Sequence, residues 1–305
     1  MKKSAVFAFL LFAAVRTPIA LADETITADV FGSPLTIKTN QRFAQAIYSL
    51  KWKHKEFLNS HDHGREMQTA ATFDGFGECF NPTEAGTSND ATGQTSTSVP
   101  IWSVSRGNHL TTKTQMAFWL APGAPYPNGC GGNPNVQVAQ NTEFLSKHTI
   151  KKHVTIGFRG LENVIEYKVN YFVAEAHSAS VFEALTGYMP PSFSKFWNVD
   201  LKTGTLTKFV PKPMLEMNAP VILSTFCKRY AMGVLAVNSN NPVFSPVVYR
   251  GYNFAPEHTT KWDAVFSSGK IAEGTYSFKI YVVVGSLAQV AQSMKQLHQI
   301  LTTSN

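Results

Sequence analysis

Between residues 59 and 86 the chain gathers His61, Asp62, His63, Arg65, Glu66, Glu78 and Glu84 into one stretch broken by Gly64, Gly75, Gly77 and Gly86. Imidazoles exchange protons near neutral pH, carboxylates accept protons or ligate metals, and a guanidinium grips anionic or hydroxyl-rich molecules. Glycines allow backbone geometries that other residues resist, which suits a loop folded closely around a small ligand. Were the segment extended, His61 and His63 would project to one face and Asp62 to the other.

Three chemistries fit this pattern. His61 and His63 can ligate a divalent metal, with a third ligand supplied after folding by Glu78, Glu84, His109, His177 or His258. Alternatively His61 or His63 works with Glu84 or Glu78 as a general acid and base, while Arg65 holds the substrate. In the third reading the cluster is structural: Asp62 or Glu66 pairs with Arg65, the histidines satisfy loop carbonyls, and the glycines make turns. Asn81, together with Tyr126 in the Pro/Gly-rich loop 121–129, extends the list of side chains expected to touch a substrate. Trp119 and Trp262 sit within alternating segments and read as core.

The rest of the chain must position these groups. Lys2 and Lys3 precede an apolar run from Ala5 to Val15, and Ala20-Leu21-Ala22 offers a small-x-small cleavage site, so residues 1–22 read as a secretory signal. No later segment reaches the ~20 apolar residues of a membrane span. Residues 23–305 read as a single exported domain, periplasmic or extracellular. Signal removal takes three of the 27 basic residues, leaving 24 against 20 acidic ones and a net charge of +4. That excess is scattered, and no basic stripe or binding module points to nucleic acid. In an oxidising compartment the three cysteines allow one bridge, and Cys79 with Cys130 is favoured because both lie in glycine-rich loop sequence.

Strand signals dominate. Ile165, Tyr167, Val169, Tyr171 and Val173 alternate with Glu166, Lys168 and Asn170, and similar runs cover 112–120, 149–158, 231–237 and 261–266. Residues 197–210 read as a hairpin turning at Gly204, and the apolar run Tyr276 to Val284 as a central strand buried on both faces. Gln41 to Leu50 fits either a short helix or a strand, and 83–99 reads as one long polar loop. One helix is predicted: Ser286 and Gln289 form a capping box, and Val290, Met294, Leu297 and Leu301 follow at helical spacing. Many strands and one late helix predict an all-β fold, a large antiparallel β-sandwich.

The stretches His61-Asp62-His63-Gly64-Arg65, Gly77 to Gly86 and Gly274 to Gly285 resemble a group of uncharacterised secreted bacterial proteins over most of the chain. More distantly, a His-Gly-Arg followed by an Asn-Pro-x-x-Ala-Gly loop is similar to the galactose mutarotase-like β-supersandwich class. The resemblance implies a carbohydrate cleft on a concave sheet face, used for binding or for acid–base chemistry by a His and a Glu. Arg65 and the neighbouring histidines match that pattern, but the late glutamate motif of the class is not found, Glu257 in Ala255-Pro256-Glu257-His258 being a candidate for it. This departure bears against epimerase chemistry more than against the fold. The expectation is thus an exported carbohydrate-binding or carbohydrate-active protein. Its cleft would be lined by 61–65 and 78–86, with His61, His63 and Glu84 catalytic and Arg65, Glu78, Asn81 and Tyr126 on the substrate. This reading requires no cofactor. The alternatives are a metal-dependent hydrolase or lyase using His61 and His63, and a non-catalytic envelope or glycan-binding protein.

Overall fold

The computed structural model describes residues 21–131 and 133–303. All but the last two residues of the expected signal lie outside them. Nineteen strands, numbered along the chain, pair antiparallel in two runs among the described residues. The first sheet runs from β7 (Val99–Arg106) through β8 (His109–Phe118), β9 (Leu145–Phe158), β10 (Leu161–Val173) and β19 (Gly274–Gly285). It continues through β16 (Ala231–Val237), β15 (Val221–Ser224) and β12 (Lys195–Val199) to β13 (Leu206–Phe209). The second sheet runs through β1 (Glu24–Asp29), β2 (Pro34–Thr39), β3 (Ile47–Trp52) and β5 (Met67–Phe73), with the short β4 (Lys55–Glu56) beside β3. Beyond β5 come β11 (Ser180–Met189), β18 (Thr259–Ser268), β17 (Val248–Phe254) and β14 (Met214–Met217). The two-residue β6 (Pro82–Thr83) pairs with β5 on one side and β8 on the other, joining the runs.

Side-chain alternation builds the layers. From β10, Tyr167, Val169 and Tyr171 enter one core with Phe278, Ile280 and Val282 of β19. From the second sheet, Phe182 of β11 and Trp262, Ala264 and Phe266 of β18 meet them, so this core fills the space between the sheets. The other face of β19 presents Tyr281 and Val283 to a second core, completed by Leu287, Val290, Met294 and Leu297 of α1 (Leu287–Thr303). The strand predicted to be buried on both faces is therefore covered by a sheet on one side and a helix on the other. The capping box forms: Ser286 N–H donates to Gln289 Oε1 at 2.9 Å, and Gln289 N–H to Ser286 Oγ at 3.4 Å. Each fully buried aliphatic side chain of α1 contributes about 1.5–3 kcal/mol, which holds the helix down.

The sandwich with its carboxyl-terminal helix is the predicted one, with local differences. Gln41 to Leu50 divides into a turn and the start of β3. The long polar segment is organised by Asp90, whose carboxylate accepts from the N–H of Thr87 and Thr97, each at 2.8 Å, and from Thr97 Oγ1 at 2.7 Å. One charge thus gathers the loop by capping a single turn at Ser88–Asp90.

Gly187 of β11 stands opposite Trp262 of β18, and a Cβ there would lie 2.5 Å from the indole. The missing side chain makes room for the largest residue of the core. Gly187→Ala is expected to destabilise the fold by about 1–3 kcal/mol through overpacking. Chemical denaturation checks this, and an unchanged midpoint would show that Trp262 moves aside freely.

Candidate functional site

The outward face of the second sheet carries the site. On β5, Met67, Ala71 and Phe73 point into the core while Gln68 and Ala70 point out. On β18, Trp262 and Ala264 point in, while Lys261 opens outward. Glu183 and Thr186 of β11 are three residues apart and would face opposite ways in a regular strand. A bulge between Glu183 and Leu185 supplies the extra residue, so both line the cleft together with Tyr188.

The walls come from loops. Glu78 projects from a single 3₁₀ turn, Gly77–Phe80, that is tied down by the bond between Cys79 and Cys130. Gly77 has a φ of 47°, and a Cβ there would meet the Gly131 backbone at 2.7 Å, so only glycine lets the bridged loops close. Asn81 donates from Nδ2 to Glu78 Oε2 at 3.1 Å and leaves its own buried Oδ1 without a partner. Trp119 and Tyr126 complete the rim, giving a cleft of about 370 Å³.

At its floor lies a charge network. Lys261 Nζ is 2.7 Å from Glu183 Oε2 and 3.4 Å from Asp263 Oδ2, and lies over the rings of Tyr188 and Tyr252 at 5.1 and 4.9 Å. Burial opposes the Lys261 charge, but Glu183, Tyr188 and Asp263 outweigh it and hold its pKa well above the ordinary lysine value. Burial, aided by the charge on Glu183, pushes Asp263 up to about 7. The same two causes raise Glu78. Burial pushes Tyr188 up to about 12, and burial and Glu78 raise Tyr126. On the flank Arg250 Nε pairs with Glu216 at 2.7 Å.

A larger cleft of about 640 Å³ lies on the first sheet, lined by His153, Lys168, Asn170, Tyr276 and Lys279. Its lining contains no carboxylate, so volume favours it and chemistry favours the smaller one.

The expected site residues are divided between interior and cleft. Glu78, Asn81 and Tyr126 line the cleft. Glu84 does not: it is fully buried, paired with Lys152 Nζ and accepting from Thr69 N–H at 3.0 Å, out of reach of any ligand. His63 is buried with Nδ1 2.8 Å from Ala91 O and Nε2 2.8 Å from Arg42 O, which leaves neither nitrogen for a metal or a substrate. The segment is a turn, so the alternation expected of an extended strand does not apply, and exposed His61 lies in a separate shallow groove with Asn59, Arg65 and His258. Among the described residues, His61 and His63 join no trio of ligand atoms close enough to share an ion. Arg65 pairs with Asp62 at 3.1 Å and donates from Nη1 to Glu257 O at 2.9 Å, the structural role anticipated as the third reading. Glu257 stands exposed at the rim. Glu66 is fully buried, and burial raises it well above the usual carboxylate range.

Trp119, expected in the core, is half-buried instead. The strand β8 stops at Phe118, and Trp119 turns out over Gly64, where a Cβ would strike its ring at 2.6 Å. Gly64 of the His-Gly-Arg motif is therefore a place for an aromatic wall. Glu183, Tyr188, Lys261 and Asp263 escaped the sequence reading, because isolated charges on alternating strands look like a solvated face. The pattern Lys261-Trp262-Asp263, two charges flanking a core tryptophan, was the available signal.

No family model and no curated protein matches the sequence. Among solved structures, a protein from Synechocystis sp. PCC 6803 is similar with a TM-score of 0.45 and 9% identity, over 93% of this chain and 100% of that one. A mutant heparan sulfate lyase from Pedobacter heparinus gives 0.44 and 9%, over 88% of this chain and 36% of the lyase. An alpha-galactosidase from Geobacillus stearothermophilus gives 0.41 and 6%, over 86% of this chain and 41% of the galactosidase. The chain thus spans well under half the length of either enzyme.

Proposed function

We propose that this is an exported, mutarotase-like supersandwich protein that binds carbohydrate in the cleft between Trp119, Tyr126 and the Glu183–Lys261 pair. The observation that carries the reading is the composition of that cleft: aromatic rings at the rim above a floor of carboxylates, amides and a lysine. A pyranose presents flat C–H faces and a ring of hydroxyls that donate and accept, and this lining complements both. Asn81 Oδ1, buried in the cleft lining without a partner, is an acceptor that a ligand hydroxyl satisfies directly or through water. The Cys79–Cys130 bond beside the site supports an oxidising compartment.

A glycan array is expected to give hits that Trp119→Ala and Glu183→Gln each weaken by about tenfold or more, roughly the loss of one stacked ring or one charged hydrogen bond. Lys168→Ala, in the larger cleft of the other sheet, leaves binding unchanged. No hits for wild type, or loss in Lys168→Ala alone, would reject the assignment.

One observation favours turnover over binding alone. Glu78 retains its proton more strongly than an ordinary carboxylate, while Glu183 opposite is paired with Lys261, giving the cleft a proton donor and a carboxylate acceptor. On a substrate found by screening, Glu78→Gln is expected to lose turnover while keeping affinity. Unchanged turnover would leave a binding protein.

A further inference from the structure

Away from the cleft, three side chains with metal-ligating atoms converge where β9 begins and β10 ends. Thr149 pairs with Phe172, so the next residue back, His148, stands beside Val173, and Glu175 and His177 follow on the loop. One ligand atom of each lies within 4.8 Å of the other two.

His177 is prepared for such a role. Its ring is 4% exposed and stacks on Phe73 at 4.0 Å with an interplanar angle of 12°. Its Nδ1–H donates to Asp74 Oδ2 at 2.9 Å, and Asp74 Oδ1 is itself held by Ser178 N–H and Oγ at 2.7 and 2.8 Å. That leaves the lone pair on Nε2, which is buried with no hydrogen-bond partner. A carboxylate that fixes an imidazole tautomer while the far nitrogen stays free is the arrangement that surrounds metal-bound histidines. A buried acceptor left without a donor is otherwise a standing cost to the fold.

His148 is 1% exposed, and its Nδ1 accepts the Ala174 N–H at 3.1 Å. Coordination through Nδ1 would exchange this neutral amide bond, weak beside a metal–imidazole bond, for the ion. Ala174 heads the loop bearing Glu175 and His177, so the amide that would be released belongs to the segment carrying the other two ligands. Glu175 is exposed, and it and His148 line a cleft of about 210 Å³ with Phe80, Phe118, Asn141 and Glu143, which gives an entry path.

We propose that His148, Glu175 and His177 hold a divalent transition-metal ion of the zinc class, with Asp74 as the residue that orients His177. Two imidazoles and one carboxylate suit zinc, whereas calcium and magnesium favour all-oxygen shells. The site involves neither His61 nor His63 and is independent of the carbohydrate reading.

The test uses the untagged chain, stripped with chelator and titrated with zinc chloride by calorimetry, with elemental analysis after gel filtration. One zinc per chain is expected, with a zinc-dependent rise in Tm, and a cobalt-substituted sample should show the visible absorption of a tetrahedral site. Glu175→Gln, at an exposed position that the fold does not need, should weaken zinc at least about tenfold, and Asp74→Asn by about 10–100-fold. His177→Gln should abolish binding, and where it fails to fold Glu175→Gln carries the test. Wild type that retains no zinc, or a Glu175→Gln variant that binds as tightly as wild type, overturns the proposal.

Discussion

Lys152→Met is expected to lower the stability of the fold by about 3–5 kcal/mol, measured by urea unfolding at pH 7. Lys152 on β9 and Glu84 beside β6 are both fully buried and form one ion pair inside the sandwich. Burial pushes the Glu84 pKa up, while Lys152 and the Thr69 N–H oppose that rise. Removing the lysine leaves a carboxylate that must either stay charged in the interior or take up a proton, and each alternative costs stability. The loss should shrink as pH falls towards the range where Glu84 protonates readily. The double variant Lys152→Met, Glu84→Gln should recover most of it, because the glutamine carbonyl still accepts from Thr69 and no charge remains to be compensated. A single variant within about 1 kcal/mol of wild type would mean that the interior solvates Glu84 by other means.

The second large effect is a pH dependence centred on Asp263. Its folded pKa of about 7 stands above the ordinary aspartate value of 3.8, so in the folded state it releases its proton later than in the unfolded chain. The stability this gives is fully present below about pH 4. As pH rises the unfolded chain ionises first, and the contribution is lost progressively until pH reaches about 7. The difference between about 7 and the ordinary carboxylate value sets an upper bound of about 4 kcal/mol on the change. Asp263→Asn removes the titration, so its unfolding free energy should be flatter than that of wild type between about pH 4 and 7. Its offset at any single pH also includes altered contacts to Lys261 and Tyr252, so the comparison of slopes is the readout. Parallel profiles for the two proteins would show that Asp263 titrates normally.

Both predictions concern groups whose importance depends on what faces them, and this separates what the sequence determines from what it leaves open. The strand at Leu161–Val173, the doubly buried strand at Gly274–Gly285 and the capped helix at Leu287–Thr303 are all legible, because burial on one face or two imposes a period of two or 3.6 on neighbouring residues. Glu78, Asn81 and Tyr126 are legible as well, being polar or aromatic side chains on turn-rich loops. Reactive residue types close in sequence did not by themselves make a site: His63 spends both ring nitrogens on backbone carbonyls, Arg65 braces Asp62, and Glu84 is buried with Lys152. Only tertiary structure joins Glu183 of β11 to Lys261 of β18, through strand register and a bulge, and only it sets His148 beside His177. Local sequence fixes which way a side chain points along its own strand. The neighbour it meets, and hence whether its charge is solvated, paired or free to act, is decided by pairings between residues about 30 to 100 positions apart.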